Sequence, residues 1–184
     1  MRRMFSESAK ELKNTKSLVV MAMLLALAVV LGFVSLQLTE SLRISFTFLP
    51  NALAGQLFGP TIGMIVGGLA DILKYIVKPT GPFFPGFTIS GILGGLIYGL
   101  VLYKKPLSLK RVILANVLVS VFVNMILNTY WLTLLYGSSY LVIWPARIVT
   151  NLITLPINIF LYYLVAGILE KAGILQMAGR SAAK

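Results

Sequence analysis

Uncharged, mostly apolar runs dominate the chain: Ser17–Thr39, Ile44–Ala70, Pro79–Tyr103, Val112–Ala146 and Ile148–Leu169. Each is long enough for at least one helix through a hydrocarbon core ~30 Å thick. The second run continues past Asp71 to Val77 and would reach roughly 50 Å as one helix, too far for a single crossing. Phe58-Gly59-Pro60 in its middle is a turn signal, so it divides into a short span near Ser45–Phe58 and another near Thr61–Val77. Pro79, Pro82 and Pro85, with Gly81 and Gly86, break the chain before a fourth span at about Phe87–Tyr103; a fifth covers about Leu109–Leu134 and a sixth about Pro145–Glu170. The first run lacks the short apolar core and cleavage site of a removable signal and starts behind a charged tail. The pattern predicts an all-α integral membrane protein: one six-helix membrane domain over 17–170, between tails at 1–16 and 171–184.

Charge orients the spans. The net charge is +11, which in a soluble chain would suggest nucleic acid, but its distribution follows the positive-inside rule. With six spans, Arg2, Arg3, Lys10, Lys13, Lys16, Lys104, Lys105, Lys110, Arg111, Lys171, Arg180 and Lys184 all fall inside, and only Arg43, Lys74, Lys78 and Arg147 lie toward the outside. Merging the second and third spans would put the Lys104–Arg111 loop outside. Both termini are therefore expected in the cytoplasm.

Small and polar residues recur at helical spacing within the spans. Gly59, Gly63 and Gly67 form one ridge and Gly91, Gly95 and Gly99 another, the usual device for close helix packing in lipid. Ala22 and Ala26 make a shorter pair, suited to internal packing or to docking another protein. The fifth span carries Asn116, Ser120, Asn124 and Asn128 every four residues, then Trp131; the sixth carries Arg147, Asn151, Thr154 and Asn158. Such spacings stay near one helical face. Asn116, Ser120, Thr154 and Asn158, nearer the cytoplasm, are expected to bond helix to helix. Arg147 is the one formal charge between Arg111 and Glu170, and it costs several kcal/mol in a membrane unless an anionic or hydrated partner receives it. Arg147 and Asn151 beside Asn128, Tyr130 and Trp131 suggest a pocket, because aromatic walls with a few convergent polar groups are how small-molecule sites are built.

The outer loops add to that concentration. Lys78 leads a proline-rich segment holding Phe83, Phe84 and Phe87, which suggests a stacking surface or a lid; Tyr140 and Trp144 suit an interfacial belt. Asp71 and Lys74, three apart, suit an ion pair. Arg43 is a candidate on a loop that closes over ligand. The outer half, with four basic residues against Glu40 and Asp71, suits an anionic, aromatic ligand. The chain has no cysteine and no histidine, which excludes disulfides, thiol chemistry and histidine-based catalysis, and no cofactor is expected. A phosphate-binding G-x-x-x-x-G-K-[ST] loop is also missing. A pocket without an engine points to energy from a partner.

Assembled, these residues resemble a substrate-binding S component of the energy-coupling factor (ECF) family of bacterial vitamin importers, most of all its folate-specific branch. The resemblance runs from about Lys16 to Glu170 and is most specific at Phe83-Phe84-Pro85-Gly86-Phe87-Thr88-Ile89-Ser90-Gly91, at Arg147-Ile148-Val149-Thr150-Asn151 and at Pro156-Ile157-Asn158. It implies a non-enzymatic protein of the bacterial cytoplasmic membrane that captures a vitamin outside. A transmembrane coupling subunit and two cytoplasmic ATPases would power release inward, with Ala22 and Ala26 as the docking motif. Folate would set its rings against Phe84, Phe87 and Trp131. Asn128 and Asn151 would read the pterin, and Lys74, Lys78 and Arg43 would attract the glutamate tail. Arg147 would pair with a carboxylate or bond the pterin. Two alternatives stay open: an S component for another vitamin such as thiamin, and a stand-alone ion-coupled carrier using Asp71.

Overall fold

The computed structural model describes residues 2–33, 36–37, 43–44, 46–79, 82–137 and 140–173. Eight helices are described, with one two-stranded ribbon. Arg2–Lys10 (α1) continues through a 3-10 turn at Glu11–Lys13 into Thr15–Phe33 (α2). Leu36–Gln37 (β1) pairs antiparallel with Arg43–Ile44 (β2). Phe48–Phe58 (α3), Pro60–Val77 (α4) and Pro85–Leu102 (α5) follow. Leu109–Leu118 (α6) leads into a wide-turn π segment at Val119–Leu127, then Asn128–Tyr136 (α7) and Tyr140–Lys171 (α8).

Among the described residues, five stretches are long and apolar enough to cross a membrane: Thr15–Phe33, Pro60–Val77, Pro85–Leu102, Leu109–Leu135 and Trp144–Lys171. The segment expected as a second span holds α3, whose 11 residues reach only about 16 Å, half a hydrocarbon core. The first span is shorter than its apolar run, because the helix ends at Phe33.

Glycine decides how α3, α4 and α5 pack. Gly63 meets Gly95 and Gly67 meets Gly91 across the α4–α5 crossing, so closely that a methyl on Gly95 would sit 1.9 Å from the Gly63 carbonyl oxygen. Gly55 of α3 approaches Gly99 in the same way. Both ridges therefore act as packing surfaces, as their spacing suggests. Gly59 breaks the ridge. Its φ of +92° reverses the chain between α3 and α4, a conformation open to glycine, and Pro60 then starts α4 where its missing N–H costs nothing.

The segment read as an N-terminal tail contains α1, and α1 packs on this reversal. Ser8 Oγ accepts the Ile62 N–H at 3.2 Å, and Thr61 Oγ1 donates to the Phe5 carbonyl at 3.0 Å. Ser8 thus satisfies an α4 donor that Gly59, lacking a side chain, leaves open. Lys104, after α5, donates to Glu7 at 2.8 Å. The Lys104 hydrogen bond holds the Glu7 carboxyl below its usual range, and Glu7 in turn raises Lys104.

α2 is apolar nearly all round yet buries only Ser17, Met21, Leu24 and Ala28, one seam at spacings of four, three and four. Its other faces stay uncovered, Ala22 and Ala26 among them.

Candidate functional site

A cavity of about 220 Å³ opens between α3, α4, α5, the α6–π segment and α8. Six asparagines line it: Asn51, Asn116, Asn124, Asn128, Asn151 and Asn158. An asparagine carries two donors and two acceptor lone pairs, so this wall suits a heterocycle with mixed polar edges. The volume falls short of the roughly 300–1,000 Å³ of typical small-molecule pockets. It suits the ring system of a larger ligand whose remainder extends outward.

Helix geometry explains how one strand of sequence lines so much wall. On an ideal α-helix, twelve residues from Asn116 to Asn128 would drift by about 120°, carrying one end of the stripe off the cavity. The turns from Val119 to Leu127 are wider, with the Asn128 N–H bonding the Val123 carbonyl, five residues back. More residues per turn cancel the drift, so Asn116, Ser120, Asn124 and Asn128 all reach the cavity. Wide turns of this kind concentrate at functional sites.

Several of these side chains are held by the protein itself. Asn151 donates to the Arg147 carbonyl at 2.9 Å and accepts from Ser120 Oγ at 3.0 Å. Asn116 donates to the Val112 carbonyl at 2.9 Å and accepts from Tyr98 OH at 3.0 Å, and Thr154 donates to the Thr150 carbonyl at 2.9 Å. The inter-helix role expected of the cytoplasmic half of the stripes thus holds for Ser120, which reaches α8. Asn116 bonds across to α5, and all four residues expected there to bond helix to helix also line the cavity. Beneath it Tyr98 stacks on Tyr162 at 6.2 Å, and Tyr162 OH donates to Gln56 Oε1. Among the described residues, two buried amide oxygens lack donors, Asn51 Oδ1 and Asn128 Oδ1; Asn128 Nδ2 is turned to Asn124 Oδ1 at 3.2 Å.

Of the site residues expected from sequence, Asn128, Asn151, Phe87 and Lys74 line the cavity. Lys74 Nζ stands 3.9 Å from Asp71 Oδ1. Trp131 and Phe84 lie just beside it. Trp131 Nε1 donates to the lining Ser90 Oγ at 3.2 Å, and the Phe84 ring sits 5.7 Å from Trp131 and 6.0 Å from Phe87. Gly86 makes this cluster possible, since a methyl there would strike both Phe84 and Trp131 at 2.5 Å.

Arg147 stands one α8 turn beyond Asn151, on the same face but outside the lining, half-buried. Lys78 lies apart, its ammonium 5.7 Å from the Phe33 ring. Phe83 packs on Tyr75 at 5.0 Å and not on Phe84. The backbone of Arg43 pairs with Gln37; its side chain, with Glu40, lies outside the described residues. The sequence reading missed Asn51, Tyr98 and Ser90. Asn51 had a signal, one of two amides, with Gln56, in a mostly apolar α3. Tyr98 had none, being an ordinary residue in a glycine-rich helix, and Ser90 stood only within the stretch that carries the family resemblance.

The family model described as "ECF transporter, substrate-specific component" matches residues 16–166. The chain is 39% identical over 153 residues to a folate transporter of Clostridium novyi, covering 83% of this chain and 88% of that one. It is 32% identical to a folate transporter of Leuconostoc mesenteroides, covering 82% and 84%. A crystal structure of FolT bound with folic acid superposes with a TM-score of 0.76 at 39% identity, covering 83% of this chain and 93% of the other.

Proposed function

We propose a function from one premise: the chain belongs to the family of substrate-specific components of ECF transporters. It is the folate-binding component of such an importer, a multi-pass protein of the bacterial membrane. The observation that carries this reading is an amide-lined cavity in a chain whose relatives over most of its length are folate transporters.

The pterin enters the cavity, and the benzoyl ring leaves it past Phe87, Phe84 and Trp131. Asn128 meets the pterin directly. Asn151, spent on Ser120 and on its own helix, holds the wall in shape. The glutamate tail reaches outward to Arg147, with Lys78 and Arg43 adding attraction at longer range, while Lys74 stays beside Asp71 at the cavity wall. Arg147 then meets a carboxylate, the partner that a guanidinium at this depth requires.

Counting the short α3 with the five long helices gives six passes through the membrane domain 17–170, with α1 and the C-terminal segment 171–184 in the cytoplasm. The support is that α1 and Lys104 share one end of the bundle, where the positive-inside rule wants them. The uncovered face of α2 around Ala22 and Ala26 docks the transmembrane coupling subunit, and two cytoplasmic ATPases supply the energy. The chain itself carries out no chemistry on the vitamin.

The test is a titration of the purified chain with folate, following emission from Trp131 and Trp144. Saturable one-to-one quenching at nanomolar folate is expected. Silence with folate, combined with uptake by vesicles containing this chain alone, would sink the reading in favour of a carrier built on Asp71.

A further inference from the structure

Among the described residues, Asp71 is the one acid lining the cavity, and its carboxylate is only partly spent. Oδ2 accepts from Thr88 Oγ1 at 2.9 Å. Lys74 stands 3.9 Å from Oδ1, beyond hydrogen-bond length, so Oδ1 keeps its accepting capacity. Asn128 Oδ1, on the α7 side of the same cavity, is buried with no donor. Asn116, Asn151 and Thr154 are by contrast already bonded to protein groups. Each of these two walls holds an unspent acceptor, a carboxylate oxygen and an amide carbonyl. A ligand that satisfies them must present N–H groups.

Building on the folate reading, we propose that Asp71 is a specificity-determining residue that reads the amino-pyrimidine edge of the ligand. The ring N–H and the neighbouring exocyclic amino group donate side by side to the carboxylate, and Asn128 Oδ1 accepts a remaining N–H. Paired donors on a carboxylate give two charge-assisted hydrogen bonds. An oxo group in place of the amino group turns one of those bonds into repulsion between oxygens. The site therefore selects 2-amino-4-oxo pteridines against 2,4-dioxo pteridines of the same size.

Pterin and lumazine differ in just this substituent, and their competition against bound folate tests the proposal on the purified full chain. Wild-type protein is expected to prefer pterin by at least about tenfold, since a site built to bond a donor rejects the analogue lacking it. Asp71→Asn can turn an amide N–H toward the oxo group and should bring the two ligands within about threefold of each other. Asp71→Ala should weaken pterin and leave lumazine nearly unchanged. A merely structural role for Asp71 would weaken both ligands equally and keep their ratio, which overturns the proposal. So does equal competition on wild-type protein, a measurement that needs no variant to fold. Failure of wild-type protein to bind folate at all overturns the underlying folate reading instead.

Discussion

Between α4 and α5 the side chains at the contact are single hydrogens, whereas between the π segment and α8 they are amides that stop short of filling the space. The glycine crossing brings backbone against backbone, with no room for a methyl at Gly63, Gly67, Gly91 or Gly95. Its strength is dispersion at close range, which lipid does not compete away. The asparagine side works differently. Asn116, Asn151 and Thr154 donate to carbonyls four residues earlier in their own helices, and Asn116 and Asn151 also accept from Tyr98 and Ser120 on neighbouring helices, which holds these side chains against the walls around the cavity. One half supplies a rigid frame, and the other keeps a polar space open. Stability and specificity are thereby placed on different helices, so substitutions in the two halves should fail in different ways.

The sharpest break of that comparison is Gly95→Ala. A carbonyl 1.9 Å from the new methyl belongs to backbone and has nowhere to go, so the cost should be about 3 kcal/mol or more. Folded yield and melting in detergent would show it; a wild-type melt would mean the crossing is looser than the glycines imply. Next comes Asn128→Ala, which should lower folate affinity roughly 10- to 100-fold, the worth of about 1.5–3 kcal/mol of buried hydrogen bonding, with melting nearly unchanged. A drop in melting comparable to that of Gly95→Ala would erase the division between frame and site. Arg147→Gln should cost less, about 1 kcal/mol in folate affinity. Free pterin, which lacks the glutamate tail, should bind the variant as it binds wild type, and an equal loss for pterin would place Arg147 on the ring instead.

The smallest effect concerns the base of the frame. Glu7 has its carboxyl lowered by Lys104, so their contact favours docked α1 above the ordinary carboxylate range and fades as pH falls through the lowered value. Lys104, raised by Glu7, gives the complementary loss only at strongly alkaline pH. Because the chain has no cysteine, a single Ala9→Cys label can report α1 mobility. Acidification should loosen α1, and Glu7→Gln should remove that pH dependence without changing folate affinity.

Much of the frame was legible in the chain. The glycine ridges announce close packing because small residues every four positions have few other uses in lipid, and Phe58-Gly59-Pro60 marks the reversal. The shortness of α3 was less so, since an apolar run records what a membrane tolerates and not where a helix begins. α1 went unread because a basic tail and a basic amphipathic helix share a composition; its role depends on Ser8 meeting Ile62, 54 positions away. Residues of the stripes on the fifth and sixth spans line the cavity. The depth of each residue did not follow: Asn116, Ser120, Thr154 and Asn158 line the cavity, while Arg147 stops one turn short and Lys78 turns to Phe33.

The sequence by itself determined that the chain is a bundle of apolar helices, that its charges gather toward one end, and that two helices carry polar faces. These follow from solvation and helical period, both local properties. Only the tertiary structure decided that the polar faces, joined by Asn51, Asp71 and Ser90 from other helices, enclose one cavity. The period of a helix fixes angles within that helix alone. Which residues meet across helices depends on where backbones touch, here at Gly63–Gly95 and Gly67–Gly91, and on the wide turns that keep Asn116 and Asn128 facing the same space.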